Sequence, residues 1–180
     1  MRVLVLAVLL ATGLLPAELQ ELDLVQLSGV WYEVALAVQP AKHGAPQRPR
    51  RVGVVKMELL GSHFSLVSAY DNNLQHCVKE VTHARQSGPR QFQLQGKAGS
   101  KEVQILSTDY TSFAILEVTE QKGTNKVLKL YSRVLEPSEE ALQSFYQNVE
   151  QSGLASTDVS LLLRDMTCVQ LMGPGSVRSF

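Results

Sequence analysis

Cysteine and histidine are the residue types in this chain whose spacing would indicate a reactive or metal-binding centre. Cys77 and Cys168 are the only cysteines. An even number of cysteines in a chain exported to an oxidising compartment favours a disulfide bond. If the two are bonded, no thiol is left to act as a nucleophile. Two free thiols are the alternative.

The histidines do not have the spacing of a metal site. They are His43, His63, His76 and His83, and they do not follow the pattern of structural or catalytic zinc ligands. The sequence also lacks the Gly-x-Ser-x-Gly turn of serine hydrolases and a phosphate-binding loop. It therefore predicts no catalytic residue, no metal and no cofactor.

The composition is that of one folded domain. The 180 residues are 44% hydrophobic and 19% charged, which is enough for a hydrophobic core and unlike a disordered chain. Lysine plus arginine number 17, as do aspartate plus glutamate, so the formal net charge is zero. This balance argues against nucleic acid as a partner.

Residues 1–17 have the pattern of an export signal. Arg2 precedes an apolar run that is too short to span a bilayer, and cleavage after Ala17 is expected. A buried N-terminal helix is the alternative. No later apolar segment reaches membrane length, so we expect a secreted domain at residues 18–173 without membrane insertion, and a flexible tail at residues 174–180.

Short apolar runs alternate with turn residues along the chain, which is typical of an all-β barrel or sandwich. Eight strands are predicted, at residues 30–38, 52–60, 63–71, 74–83, 91–95, 101–107, 110–119 and 126–135. The short connections between them predict an antiparallel up-and-down meander. A helical turn at residues 23–28 precedes the first strand, and a short strand at residues 158–163 follows the eighth. The immunoglobulin sandwich is disfavoured, because Trp31 precedes both cysteines instead of lying between them.

After the eighth strand, the apolar period changes to that of a helix. Pro137 suits a first helical turn, Glu139 and Glu140 favour its positive end, and Gly153 would end it. The residues on one apolar stripe are Ala141, Leu142, Phe145, Tyr146 and Val149. We expect this stripe to pack against the outside of the sheet.

Three motifs, in this order, resemble the signature of the lipocalins, a family of eight-stranded barrels with a hydrophobic cup. The residues that carry the resemblance are Gly29, Trp31 and Tyr32 at the first strand, Thr108, Asp109 and Tyr110 in the turn between strands six and seven, and Arg133 at the end of strand eight before the helix. The resemblance covers residues 23–168. The sequence Leu-Tyr-Ser-Arg at residues 130–133 is similar to that of lipocalins from epididymal and mucosal secretions. It implies that Trp31 plugs the closed end of the barrel beneath Arg133, and that Cys77 is bonded to Cys168.

The resemblance also implies which side chains line the cup. Cys77 would face outward and Arg133 would set the alternation of strand eight, whereas a slip of one residue would reverse strands two and three. The predicted ligand-binding residues are Val54, Met57, Val67, Val78, Glu80, Val103, Ile105, Ala114, Leu116, Val118, Lys129 and Tyr131. Such a pocket suits a lipophilic ligand with one polar end. Lys129 would pair with a ligand carboxylate or, alternatively, with Glu80 or with solvent at the mouth.

Three functions are open at this point. The first is a secreted, monomeric, non-enzymatic carrier of a fatty acid, retinoid, steroid or similar molecule. The second is an interaction protein with a vestigial pocket, whose loops bind a cell-surface receptor or another protein. The basic loop at residues 39–51 would either steer an anionic lipid or be simply solvated. The third, a prostaglandin isomerase, needs a cysteine on an early strand, and residues 30–70 contain none.

Overall fold

Eight antiparallel strands close into a barrel. The structure is a computed structural model that describes residues 21–38, 49–72, 76–96, 99–120 and 126–173, without the side chain of Glu120. The strands are β1 (Gly29–Val38), β2 (Gly53–Leu60), β3 (His63–Asp71), β4 (Cys77–Gly88), β5 (Gln91–Gly96), β6 (Gly99–Thr108), β7 (Phe113–Glu120) and β8 (Lys126–Ser132). Each strand pairs with the next, and β1 pairs with both β2 and β8. The predicted up-and-down barrel is confirmed.

Three strands differ from the prediction by three residues or more at one end. Strand β4 continues to Gly88, which pairs with Gln91 after a shift in register. Strand β7 begins only at Phe113, because the Asp109 carboxylate accepts hydrogen bonds from the backbone N–H groups of Ser112 and Phe113, both at 2.9 Å, and holds a turn there. Strand β8 ends at Ser132. The predicted export signal, the tail and most of the basic loop lie outside the described residues.

A short and a longer helix flank the barrel. Helix α1 (Leu24–Leu27) precedes β1, and helix α2 (Glu139–Gln151) follows β8. The Ser138 side chain caps α2 by accepting from the backbone N–H of Ala141 at 3.2 Å, as is usual at helix starts. The face of α2 with Phe145 and Val149 is buried in one cluster with outer residues of the barrel, such as Leu130, so the helix covers part of the wall from outside.

The last strand closes a seam in the barrel. Strands β1 and β2 pair only as far as Glu33 and Gly53, and β1 then has an irregularity before Ala35. Beyond that point, β9 (Val159–Leu161) pairs with β1. The segment after β9 then reaches the residues just before β2, where Leu163 exchanges backbone hydrogen bonds with residues 50 and 52 at 2.8 and 2.9 Å.

A disulfide bond joins the barrel to the C-terminal segment. Cys77, at the start of β4, is bonded to Cys168, across 91 positions of sequence. The predicted bond is confirmed, and the alternative of two free thiols is wrong. Because both cysteines are bonded, the chain has no thiolate that could act as a nucleophile.

Candidate ligand-binding site

The barrel encloses a cavity of about 470 Å³. This volume lies within the roughly 300–1,000 Å³ that is usual for small-molecule pockets. Most of its wall is aliphatic or aromatic, since alternate residues of the strands point inward. At the closed end, Trp31 is fully buried and donates from its indole N–H to the carbonyl of Leu27 at 2.9 Å, and Leu27 lines the cavity floor.

Arg133 seals the closed end from outside. The centre of its guanidinium group lies 3.6 Å from the centre of the Trp31 ring, within the range of cation–π contact. Its nitrogens donate to the backbone carbonyls of Gln26 at 2.8 Å, Val30 at 3.0 Å and Tyr110 at 3.3 Å. These contacts place the signature residues beneath the cavity, where they hold segments of the chain together and do not line its wall.

Most of the sequence-predicted site residues lie on the cavity wall. These residues are Val54, Met57, Glu80, Val103, Ile105, Leu116, Val118, Lys129 and Tyr131. Two others lie apart from it. Val78 is nearer the start of β4, where it pairs with Tyr70, and Ala114 packs into the buried cluster around Trp31.

Val67 lies on the outer side of its strand, opposite to the side predicted. The residues of β3 that line the cavity are Phe64, Leu66, Ser68 and Tyr70, so Val67 points outward and packs against the outer cluster. The prediction is off by one residue in β3, which reverses the face of every side chain in that strand.

Several residues on the wall were not predicted from the sequence. They include Glu33, Arg50, Phe64, Leu66, Tyr70, Phe92 and Lys101. Two signals were present: Glu33 is two positions after the inward Trp31, and the polar pair His63 and Ser65 marks the outer side of β3.

A buried carboxylate forms the polar centre of the wall. The Glu33 side chain is only 5% exposed, and its Oε2 lies 2.8 Å from Lys129 Nζ. The Tyr131 hydroxyl donates to the same oxygen at 3.2 Å. Lys129 is therefore paired with Glu33 and not with Glu80.

The surroundings of Glu33 determine its charge. Burial alone would raise the pKa of Glu33, but the Lys129 ammonium, the nearby Arg50 and the Tyr131 hydroxyl together lower it below its ordinary value. Burial and the Glu33 charge in turn hold the pKa of Tyr131 well above its ordinary value. At neutral pH, Glu33 is thus an ionised acceptor and Tyr131 a protonated donor.

A second acid on the wall lies near a tyrosine. Burial and the charge of Glu80, on the adjacent strand β4, raise the pKa of Tyr70 on β3. The phenol therefore keeps its proton beside the Glu80 carboxylate.

Two polar atoms of the wall have no partner. Glu33 Oε1 and Arg50 Nε are both buried and have no hydrogen bond within the described part of the chain. The Arg50 guanidinium is held from its other side, since its Nη2 donates to the Asp71 carbonyl at 2.9 Å. These atoms supply one acceptor and one donor.

In the part of the chain that the structure describes, no group of three or more acidic, histidine or cysteine residues is arranged to hold a metal ion. None of the helices described is long and apolar enough to cross a membrane.

Two relatives align with this chain along most of its length. Epididymal-specific lipocalin-5 of Rattus norvegicus is 34% identical over 170 residues, which cover 93% of this chain and 90% of that protein. Extracellular fatty acid-binding protein of Coturnix japonica is 27% identical over 148 residues, with 81% and 83% covered. The extracellular relatives, together with the disulfide bond, identify a secreted protein.

A solved structure shares the fold of this chain, and a family model matches its sequence. A solved structure described as "The Siderocalin Ex-FABP functions through dual ligand specificities" has the same fold, with a TM-score of 0.69 and 24% sequence identity over 79% of this chain and 97% of that one. The model of the lipocalin / cytosolic fatty-acid binding protein family matches residues 28–159. The chain therefore belongs to the lipocalin family.

Proposed function

We propose that this protein is a secreted, monomeric carrier that binds a small hydrophobic molecule inside its barrel. The observation that carries the proposal is the cavity of about 470 Å³, with a largely apolar wall and one polar cluster around Glu33. Apolar walls favour a lipophilic body, and a few convergent polar groups fix its orientation. The family match and the relative named as an extracellular fatty acid-binding protein support the same function.

Binding without catalysis is the form of activity that the residues favour. Both cysteines are used in the disulfide bond, so the isomerase chemistry of a cysteine-dependent lipocalin has no nucleophile here. Both acids of the wall have neighbours: Glu33 Oε2 accepts from Lys129 and Tyr131, and Glu80 lies near the Tyr70 phenol.

Native mass spectrometry of the protein secreted by expressing cells tests the proposal. Organic extraction of the same sample identifies any small molecule that was bound to the protein. We expect a co-purifying lipid of defined mass, released on denaturation. Bare protein that also fails to bind a panel of fatty acids, retinoids and steroids would contradict the carrier function, and would favour an interaction protein whose loops bind a receptor.

A further inference from the structure

Two phenylalanines on the cavity wall pack against each other. Phe64 and Phe92 both line the cavity, and their ring centres lie 5.9 Å apart, with the ring planes tilted by 56°. Tilted aromatic pairs at such distances attract each other beyond the effect of burial alone. Only 3% of Phe64 and 5% of Phe92 is exposed, so the two rings form one continuous piece of the wall.

The strand directions place this pair at the closed end of the barrel. In an up-and-down barrel, odd-numbered strands begin at the end where even-numbered strands stop. Strand β1 begins at the closed end, where Trp31 is buried. Phe64 is the second residue of β3, and Phe92 is the second residue of β5. Both rings therefore lie at the closed end, and one buried cluster contains them together with Leu27 and Trp31.

The charged side chains of the wall lie farther toward the opposite, open end. Strands β2, β4 and β6 begin there, and the charged residues near their starts are Arg50, Glu80 and Lys101. Glu33 and Lys129 pair with each other midway along β1 and β8. Because a polar group is costly to bury among apolar side chains, a lipophilic ligand should keep its polar end near these five residues and direct its hydrocarbon tail toward the two rings.

We propose that the Phe64–Phe92 pair is the stop for the hydrocarbon tail of the ligand and sets the chain length that this protein prefers. The inference rests on the proposed carrier function and adds a pair of specificity-determining residues to it. Each methylene that becomes buried strengthens binding by about fourfold. That gain should end where the tail reaches the rings, because a longer tail has to displace packed side chains or remain outside the apolar end.

A small residue beside the pair leaves room for the tip of the tail. Ala84 on β4 pairs directly with Phe64, lines the cavity and is buried. Side chains that are directly opposite in an antiparallel pair lie on the same face of the sheet, so a larger side chain at Ala84 would fill space in front of the rings. The cavity can thus be deepened at the rings and made shallower at Ala84.

A series of saturated fatty acids from octanoate to stearate tests the inference. The carboxylate is the same in every member, so the charged residues of the wall contribute equally and only the tail length varies. Each acid displaces the neutral fluorescent probe phenylnaphthylamine, whose own affinity is first measured for every protein. In the wild type, we expect affinity to rise about fourfold per methylene and then to level off at one chain length, the break point.

Variants assign the break point to the pair. Phe92→Ala, and the milder Phe92→Leu and Phe64→Leu, remove ring atoms, so the break point should move to longer acids. In Phe92→Ala, the next even-numbered acid beyond the wild-type break point should gain about tenfold in affinity, as two further buried methylenes would give. Ala84→Leu should move the break point to shorter acids, and the acid at the wild-type break point should lose about tenfold.

The matched control is Phe145→Leu, which removes the same ring atoms from the outer cluster beneath α2. It should leave the break point unchanged, although it also loses a buried ring. Circular dichroism verifies that each variant is folded, and the milder leucine variants serve if Phe92→Ala does not fold.

The outcomes separate the inference from the proposed function. Folded Phe92→Leu, Phe64→Leu and Ala84→Leu proteins that all keep the wild-type break point would overturn the assignment of the pair and leave the carrier function standing. A wild-type affinity that rises without a break as far as stearate would overturn it as well. If neither the probe nor any acid binds to the wild type, both proposals are wrong.

Discussion

A single arginine and a single tryptophan tie the closed end of the barrel together. Arg133, after β8, donates to carbonyls in α1, in β1 and in the turn before β7, while it lies 3.6 Å from the Trp31 ring centre. The planar guanidinium combines donors in a fixed fork with a face that stacks on an aromatic ring, whereas the lysine ammonium has three rotatable donors and no planar face. These two residues therefore stabilise the barrel by joining segments that are distant in sequence.

Truncation of Trp31 should be strongly destabilising. Trp31→Ala removes a fully buried ring and leaves a cavity under Arg133, so we expect the free energy of unfolding to fall by about 3–5 kcal/mol. Urea denaturation followed by circular dichroism measures the change. Trp31→Phe, which retains an aromatic ring, should lose less. A Trp31→Ala protein with the wild-type midpoint and slope would contradict the structural role.

The ionised Glu33 should make the free energy of unfolding depend on pH in the acid range. Its pKa is lowered in the folded protein because Lys129 and Arg50 outweigh the effect of burial. The unfolded chain thus binds the proton more readily. The contribution of Glu33 is present above the ordinary glutamate pKa and is lost as the pH falls through the lowered folded value.

Urea midpoints measured across this acid range should therefore fall more steeply in the wild type than in Glu33→Gln. Other acids contribute equally to both proteins, so the difference between the two profiles isolates Glu33. Parallel profiles would show that Glu33 is not stabilised as a carboxylate.

At the scale of the elements, the alternation of apolar and polar residues predicted the strands, but it did not predict for every strand which side chains point into the cavity. Strand β3 shows why. Apolar residues occupy both faces, with Phe64 and Leu66 toward the cavity and Val67 and Ala69 toward the outer cluster, so the pattern of period two is ambiguous. The polar wall was only partly predictable. Glu80, Lys129 and Tyr131 were identified, whereas the meeting of Glu33 with Lys129 depends on the register of β1 against β8.

The disulfide bond should be the strongest link between elements outside the sheet. Replacing both Cys77 and Cys168 by alanine frees a loop of 91 positions, for which the chain-entropy model gives a loss of about 4–5 kcal/mol. Urea unfolding of the double variant measures this loss, and wild-type protein in reductant should behave alike. Equal midpoints with and without the bond would show that the C-terminal segment is held by its packing and by the Lys79 bond to the Leu171 carbonyl at 3.0 Å.

On the scale of the whole molecule, the cavity is the feature that the barrel preserves at a cost in packing. Its volume of about 470 Å³ far exceeds the small voids that occur in well-packed protein interiors. Composition and motifs predicted a barrel of this kind. They did not predict whether its centre is open, because that depends on how inward side chains from all the strands meet.

A bulky residue in the cavity should abolish binding and preserve the fold. Val118→Trp places an indole among the residues that line the cavity, and we expect ligand affinity to fall at least about tenfold, since a drug-sized ligand buries most of its surface in such a pocket. The matched control is Val81→Trp, on the outer face of β4, where the side chain is 55% exposed. Titration with the neutral fluorescent probe phenylnaphthylamine compares the affinities of the two variants. Equal affinity in both variants would place the binding site outside the barrel.

The seam between β1 and β2 has a consequence for how the chain is made. Residues 159–163 pair with β1 and then with the residues just before β2, and β1 also pairs with β8. Strand β1 is therefore made long before the segment at residues 159–163 that covers its edge. Pairings this distant in sequence form slowly, and an uncovered strand edge invites pairing with other chains. We therefore expect newly made β1 to need protection by chaperones until residues 159–163 have been made.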